Sequence, residues 1–216
     1  MFLALSPFDA TPFDASSVPA PRAAAARPPE PAWRVHGRDD PQRAAVEAFI
    51  RQVYARHHGA VVRQFMPWLV SLNEDDSIVA AAGYRLANGP LFLENYLDAP
   101  VEVLLSAQGS PVARGRIAEV GHLAATRAGE GRRLIRRLGP HLAQRQVEWV
   151  VSTLTEELRH LFVRMGVTPL AIGTADPRRL GAQAADWGRY YDHHPMVLAG
   201  HLPQALRRFG LKGGHP

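Results

Sequence analysis

Hydrophobic residues recur at helical spacing after Pro41, and this spacing predicts an amphipathic helix with one buried face. The apolar stripe consists of Val46, Phe49, Ile50, Val53 and Tyr54. The pattern then becomes typical of strands: an extended stretch over 57–72 broken at Pro67, a turn at 73–77, a buried strand over 78–87 and another extended stretch over 89–97. A short helix is predicted to begin near Pro100.

From residue 112 onward, strand patterns and helical patterns alternate. They predict a strand over 112–125, a loop over 126–131, a helix to about Arg145, a strand over 147–155, a helix over 156–166 and a strand over 167–175. Alternating strands and helices favour a layered fold, and antiparallel strands before them would make the sheet mixed. We therefore predict an α/β (α+β) fold with a mixed central β-sheet flanked by helices. From Trp187 we predict irregular segments and a short basic helix.

Composition divides the chain into three parts. Residues 1–36 are rich in proline and alanine and are predicted to be a mostly disordered tail. Phe8 and Phe13 lie in a repeated Pro-Phe-Asp-Ala, which is either low-complexity sequence or a docking motif. Residues 37–200 are predicted to form a single domain, and residues 201–216 a basic C-terminal tail.

Charge and residue content limit the function classes. The net charge of +5 and the pI near 10.2 favour polyanionic partners, although they can equally serve solubility. Basic residues are not interleaved with aromatic ones, so no nucleic-acid partner is expected. The chain has no cysteine, and its adjacent histidines point apart on a strand, so we predict no metal site. No apolar run reaches the roughly 20 residues of a membrane span and no secretory signal is evident, so a cytoplasmic protein is expected.

The segment TRAGEG, residues 126–131, carries the strongest chemical signal. A strand that leads through a glycine turn into a helix aims several unpaired N–H groups at one point, which suits a phosphate. Gly129 and Gly131 would let the backbone approach an anion closely. Arginines follow at 132, 133, 136 and 137, where like charges four residues apart repel unless an anion or a partner offsets them. A phosphate cradle and a simple turn before a solvated helix both remain open on these grounds.

This strand, loop and helix resemble the acyl-CoA-binding motif of GCN5-related N-acetyltransferases, whose pattern is Q/R-x-x-G-x-G/A. Both glycines match, whereas Thr126 stands in the first place. The resemblance implies an acyl-CoA or acyl-carrier-protein donor, with the diphosphate on the loop and pantetheine along the preceding strand. It carries the cofactor-binding role to Leu123, Ala125, Arg127, Ala128, Gly129, Gly131, Arg132 and Arg133. A tyrosine often protonates the leaving thiolate in that family, and the nearest position here is Phe162.

The segment EVGHLAA, residues 119–125, also resembles the E-V/I-S-R-L/F-A strand of acyl-homoserine-lactone synthases, which share that fold. Glu119, Val120, Leu123 and Ala124 match the pattern. Gly121 and His122 depart from it.

Nearly the whole globular part resembles the bacterial family named thermostable hemolysin. The resemblance rests on VEAFIRQVYARHHGAVVRQFMPWL, AAGYRLANGPLFLENYLDAPVE, EVGHLAA and WGRYYDHHP in that order. The family name implies cytolysis, yet the chain has neither a G-x-S-x-G elbow nor a long amphipathic insertion segment. We therefore expect an acyltransferase that acts on a small amine or a similar acceptor. The alternative is a membrane-active cytolysin without enzymatic activity, and only this alternative implies membrane contact.

Acyl transfer to an amine needs a base and a polarised thioester. Glu119, His122 and Thr153 are the catalytic candidates, although a regular strand would put Glu119 and His122 on opposite faces. They can share a face only if Gly121 marks a bulge. Glu119 could instead form a structural ion pair with an arginine, and His122 could be a half-buried structural histidine. Glu94, Asp98 and Thr155 are predicted to bind the acceptor, with a homodimer possible.

Overall fold

The computed structural model describes residues 31–210, and the tail repeat that contains Phe8 and Phe13 lies outside them. The strands are β1 Ala32–His36, β2 Trp68–Glu74, β3 Ser77–Leu86, β4 Ile117–Ala125, β5 Trp149–Leu154, β6 Leu170–Thr174 and β7 Met196–His201. The α-helices are α1 Arg43–His58, α2 Val101–Ser106, α3 Glu130–Ala143, α4 Glu156–Arg164 and α5 Leu202–Arg208. Short 3₁₀ helices include Phe92–Tyr96 and a kinked one at Pro177–Trp187.

The seven strands form one sheet in the order β1-β2-β3-β4-β5-β7-β6. Strands β4 and β5 are parallel, and every other neighbouring pair is antiparallel. The mixed sheet flanked by helices confirms the predicted fold class. Strand β7 was not predicted, because its region was expected to be irregular. It enters between β5 and β6, so β5 and β6 are neighbours in sequence but not in the sheet.

Helices cover both faces of the sheet. Helix α1 buries Val46, Ile50, Val53 and Tyr54, as its stripe predicted, and packs on Leu69 of β2. Helices α3 and α5 cover the opposite face. Their buried leucines are Leu134, Leu138, Leu142, Leu202 and Leu206, and they share a core with β2, β3 and β4. The sheet is therefore a partition between two apolar layers.

Both predicted domain boundaries differ from the structure. Ala32–His36 was placed in the N-terminal tail, but this segment pairs with β2 as an edge strand. His36 is buried there, with Nε2 2.9 Å from Oγ of Ser71, and this contact ties the edge strand to the sheet. Helix α5 lies in the predicted C-terminal tail, and its leucines join the core although its arginines are exposed. Composition concealed both elements because each is short and flanked by polar or small residues.

The segment predicted as extended over 89–97 instead contains the 3₁₀ helix Phe92–Tyr96. Its first N–H groups would otherwise lack partners. The Glu94 carboxylate accepts a hydrogen bond from the Leu91 N–H, and the Glu119 carboxylate accepts two from the Phe92 and Leu93 N–H groups, all at 3.0 Å. Glu119 belongs to β4, so the group that caps this helix is more than 20 residues away in sequence.

Candidate active site

Strands β4 and β5 diverge after their first three residues. They pair only over Ile117–Glu119 and Trp149–Val151, so the β5-facing edge of residues 120–125 has no strand partner among residues 31–210. A cavity of 340 Å³ lies at this gap. Its lining includes Glu119 and Val120, which point to opposite faces of the sheet. The cavity therefore passes through the sheet and has one compartment on the α1 face and another on the α3/α5 face.

A bulge in β4 brings two predicted catalytic residues onto one face. Gly83 pairs with Gly121, whereas Ala81 pairs with Ala124, so β4 carries one extra residue between these pairs. His122 takes a φ of +54°, in the left-handed region. The bulge that the glycine suggested is thus confirmed. Glu119 and His122 both line the cavity and face the α1 side of the sheet.

His122 is partly buried among aromatic rings. Its ring centroid lies 5.4 Å from that of Phe65 and 6.4 Å from that of Tyr54, and Nδ1 has no hydrogen-bond partner within residues 31–210. Burial, together with the positive charge of Arg85, lowers the pKa of His122 to about 4. The imidazole is therefore neutral near pH 7 and has a free nitrogen lone pair.

Glu119 is only 2% exposed, and its carboxylate binds both the Phe92–Tyr96 helix and Arg85. Both carboxylate oxygens accept a backbone N–H of the Phe92–Tyr96 helix, and Oε2 lies 3.2 Å from Nε of Arg85. Burial raises the pKa of this carboxyl, while Arg85 and the two N–H groups oppose the rise. The ion pair with an arginine considered from the sequence is present. Since Glu119 also lines the cavity, its negative charge still acts on anything bound there.

Aromatic residues that sequence reasoning did not select complete this compartment. The aromatic wall consists of Tyr54, Phe92, Tyr96, Trp187 and Tyr190. The Tyr190 hydroxyl donates to the carbonyl of Thr153 at 3.0 Å, which fixes the end of β5 against this wall. Thr153 also lines the cavity, as does Arg85 of β3. The clustered aromatics of WGRYY, residues 187–191, are the sequence signal for this wall.

The compartment on the α3/α5 face is apolar. Its walls are formed by Ile135, Leu138, Leu142, Val150, Leu198, Gly200, Leu202, Ala205 and Phe209. Phe162 of α4 also lines the cavity, so the position expected for an acidic tyrosine carries no hydroxyl. No ionisable side chain is present in this set, in contrast to the α1 face with Arg85, Glu119 and His122.

The glycine loop leads directly from the cavity into α3. Gly129 is the N-cap residue at φ +96°, and no side chain of the described chain caps the helix. The Glu130 N–H donates to the Arg127 carbonyl at 3.4 Å, and the N–H groups of Gly131 and Arg132 are the ones available to an anion. Leu123 lines the cavity, and Ala125 ends β4 beside Gly131, whose Cβ, if present, would be 4.0 Å from that of Ala125. Ala128 is exposed in the loop.

Carboxylates already partner two of the predicted anion-binding arginines. Arg127 and Arg133 both contact Glu74 at the end of β2, at 2.5 and 3.0 Å, and both contact Glu130. Of the four crowded arginines of α3, Arg133 has its charge offset by these two acids. Arg132 is exposed and forms no ion pair with residues 31–210. It is the arginine of this loop that remains available to a ligand.

The predicted acceptor-binding residues lie outside the main cavity. Glu94 accepts hydrogen bonds from both terminal nitrogens of Arg114, at 2.7 and 2.8 Å, and Arg114 holds the pKa of Glu94 down at about 2. Asp98 is exposed and paired with Arg179. Thr155 is buried at the N-cap of α4. The structure therefore brings Glu119, His122 and Thr153 together at the cavity. Glu94, Asp98 and Thr155 lie outside it.

Two further classes of site are absent from the described chain. Residues 31–210 contain no group of three or more His, Asp or Glu side chains that could hold a metal ion. None of the helices within the same range is long and apolar enough to cross a membrane.

Comparisons with solved structures identify the fold. The chain is 16% identical to TofI in an apo form, with a TM-score of 0.59 over 84% of this chain and 98% of that one. The AHL synthase LasI is 14% identical, with a TM-score of 0.57 over 86% of this chain and 100% of that one. FeeM, an N-acyl amino acid synthase from uncultured soil microbes, is 14% identical, with a TM-score of 0.55 over 82% and 96%. At such identities the likeness shows a shared N-acetyltransferase-like fold.

Comparison of sequences gives the family. No curated protein sequence matches this chain. The sequence model described as thermostable hemolysin matches residues 36–206, which include every strand and helix from α1 to β7 and most of α5. The chain therefore belongs to the thermostable hemolysin family.

Proposed function

We propose that this protein is an acyltransferase that moves an acyl group from acyl-CoA or an acyl-carrier protein to the amine of a small molecule. The observation that carries the proposal is the gap between β4 and β5. It joins an uncapped helix N-terminus to a cavity that contains a neutral histidine. An extended thioester donor fits this arrangement from its phosphate end to its acyl end.

The donor would lie along the open edge of β4. Backbone groups of residues 120–125 that lack a strand partner can hydrogen-bond the amides of a pantetheine arm. The N–H groups at the start of α3 favour the diphosphate or phosphate of the donor, and Arg132 adds a positive charge beside them. The thioester then reaches the level of Glu119 and His122.

The acceptor would enter from the α1 face. Its amine attacks the thioester carbonyl carbon, a C–N bond forms and the C–S bond breaks. His122 accepts the proton that the nitrogen loses and can pass it to the departing thiolate. Glu119 holds the 3₁₀ helix and Arg85 in place through two hydrogen bonds and an ion pair. Thr153 borders the same compartment and can hydrogen-bond the acceptor.

The named relatives support this chemistry by analogy. LasI and BjaI are acyl-homoserine lactone synthases, and FeeM is an N-acyl amino acid synthase. BjaI was solved with SAM and isopentyl-CoA. All three of these named activities join an acyl group to an amine, which is the reaction class proposed here.

Thermal unfolding with added ligands tests the proposal. A donor at about 100 times its Kd should raise the free energy of unfolding by about 2.7 kcal/mol and raise the Tm accordingly. CoA, acetyl-CoA, longer acyl-CoAs and acyl-carrier proteins should be compared, together with native mass spectrometry for co-purified CoA. No stabilisation by any of them would overturn the proposal. Dye release from liposomes under those conditions would instead support the cytolysin suggested by the family name.

A further inference from the structure

The compartment on the α3/α5 face is larger than an acetyl group requires. It continues from the gap past Val150 and Leu198 to Leu142 of α3 and Phe209 beyond α5. Its walls are almost entirely hydrocarbon, with the hydroxyl of Ser152 beside Leu198 as a polar group, and the ionisable groups of the cavity are on the other side of the sheet. Apolar surface of this kind contributes binding energy only to an apolar occupant.

Gly200 of β7 leaves part of this compartment empty. A Cβ at this residue would have no neighbour within 4 Å, although Gly200 pairs with Val150 of β5, one residue past the last β6–β7 pair, Leu170–Ala199. A strand position that faces a layer of helices is normally filled by a side chain at close-packed density. Since the φ of Gly200 is not in the left-handed region, the backbone does not require a glycine here. What the glycine provides is space.

Ala205 of α5 adds to this space from the helix side. It lines the cavity between Leu202 and Phe209 and is only partly buried. By contrast, Gly139 of α3 fills a packing role, because a Cβ there would be 3.1 Å from Cδ2 of Leu206. The small residues around the compartment are therefore of two kinds, and Gly200 and Ala205 are the ones that keep it open.

From the apolar walls and the vacant space at Gly200, we infer that this chain selects donors with a medium or long straight acyl chain, and that Gly200 and Ala205 set the length limit. The inference rests on the proposed acyl transfer. The chain passes through the gap between β4 and β5 and lies against Gly200, while the acceptor stays on the polar side. An acetyl group would leave most of the hydrocarbon wall without contacts.

Calorimetric titration without acceptor tests this selection. The ligands are CoA and its acetyl, butyryl, octanoyl and dodecanoyl thioesters, with octanoyl and dodecanoyl carrier proteins as the second donor source. Affinity should rise about fourfold for each added methylene until the compartment is full. Preference for either source identifies the donor, whereas equal affinity for acetyl-CoA and the long thioesters would overturn the inference.

Two variants locate the length limit. Gly200→Leu adds about four carbon atoms to the empty space, so octanoyl and dodecanoyl thioesters should lose at least tenfold in affinity while CoA and acetyl-CoA keep theirs. Ala205→Phe narrows the compartment from α5 and should have the same selective effect even if Gly200→Leu does not fold. Gly89→Leu is the matched control, because a Cβ at this loop glycine is also unobstructed but lies outside the cavity.

The outcomes distinguish failure of the proposed acyl transfer from failure of the chain-length selection. Failure of CoA and every thioester to bind the wild-type protein overturns the proposed function itself. Binding of CoA with no dependence on chain length overturns only the chain selection. Chain-length dependence that both variants leave intact overturns the assignment of the chain to this compartment.

Discussion

A Cβ on Gly83 would lie 3.0 Å from Nδ1 of His122, so the imidazole rests on a strand position that only glycine leaves clear. Gly83 also pairs with Gly121 across β3 and β4, where a Cβ would come within 2.9 Å of the Met66 side chain. Two facing glycines thus make room for the bulge, and the bulge places the histidine. The position of His122 depends on the absence of side chains around it.

Gly83→Ala should displace His122 and destabilise the fold. The new methyl group would meet His122, Met66 and Leu69 at 3.0 to 3.2 Å, and overpacking of this kind costs about 1–3 kcal/mol. Denaturant titration measures the loss, and histidine NMR signals report the displaced ring. Gly89→Ala is the control, since it meets nothing within 4 Å. An unchanged free energy of unfolding together with unchanged His122 signals would contradict the close contact.

His122→Asn should reduce kcat by about 10²–10⁴-fold and leave the KM for the donor nearly unchanged, because a general base contributes on this scale. Asparagine tolerates the left-handed backbone conformation at this position. Steady-state kinetics with the acyl donor and an accepted amine measure the change. His57→Asn, at an exposed histidine of α1, should have little effect. Full activity of His122→Asn would assign His122 a structural role.

The acidic limb of the kcat/KM profile should lie at a lower pH than for an ordinary histidine base. An ordinary histidine base loses activity below about 6.5, but the pKa of His122 is lowered to about 4 by burial and by Arg85. The acidic limb should therefore appear near pH 4. A limb near 6.5 would mean that another group takes the proton.

Stability should fall as the pH is lowered from 6.5 to about 4. Burial lowers the pKa of both His122 and His141 from 6.5 to about 4, so the unfolded chain binds protons in this range and the folded chain does not. His122→Asn and His141→Asn should each flatten the slope of the unfolding free energy against pH. Below about 4.5 the carboxylates add to the loss, because Arg114 holds the pKa of Glu94 at about 2. A slope that neither variant changes would contradict the lowered pKa values.

The two loop glycines should differ when replaced by valine. Gly131→Val should abolish donor binding with little loss of stability, because its Cβ would make an ordinary contact with Ala125. Gly129→Val should also abolish binding but cost an additional 1–2 kcal/mol or so, since its φ is +96°. Thermal unfolding with and without CoA separates the effects. Gly109→Val, another positive-φ glycine, should lose stability and keep CoA binding. Retained CoA binding in Gly131→Val would exclude the loop as the diphosphate site.

Glu94→Gln decides between a structural and an acceptor-binding role for Glu94. The carboxylate accepts bonds from Arg114 and from the N–H groups of Leu91 and Val101, so its loss should cost about 1–3 kcal/mol. The KM for the acceptor should stay unchanged, because Glu94 lies outside the main cavity. Asp98→Asn, at an exposed side chain, is the control. A raised KM with unchanged stability would restore the predicted binding role.

Local patterns predicted much of this fold, and the failures have physical causes. The stripe of α1 and the apolar run of β3 were visible because each buries one regular set of side chains. The 3₁₀ helix Phe92–Tyr96 was missed because Glu119, far away in sequence, caps its first turn. Strand β7 was missed because MVLAGH is short and follows a polar, histidine-rich segment.

At the site, too, local patterns were predictable and contacts between residues distant in sequence were not. Glycine in β4 gave a usable signal for the bulge, so Glu119 and His122 could be proposed together. The partners of Arg127 and Arg133 could not be foreseen, because Glu74 is 53 and 59 residues away and meets them only through strand pairing. Arg85 and the aromatic wall required the tertiary structure, since no spacing in the sequence links β3 to residues 187–190.

The short pairing between β4 and β5 also has a mechanical consequence. Within residues 31–210, the ladder between β4 and β5 has three residue pairs, from Ile117–Trp149 to Glu119–Val151, and it joins the half of the sheet that holds β1 to β4 to the half that holds β5, β7 and β6. A donor bound along the open edge would act as an additional strand between the two halves of the sheet. Amide hydrogen exchange should therefore slow in both β4 and β5 when the donor binds, including at residues that the donor does not touch.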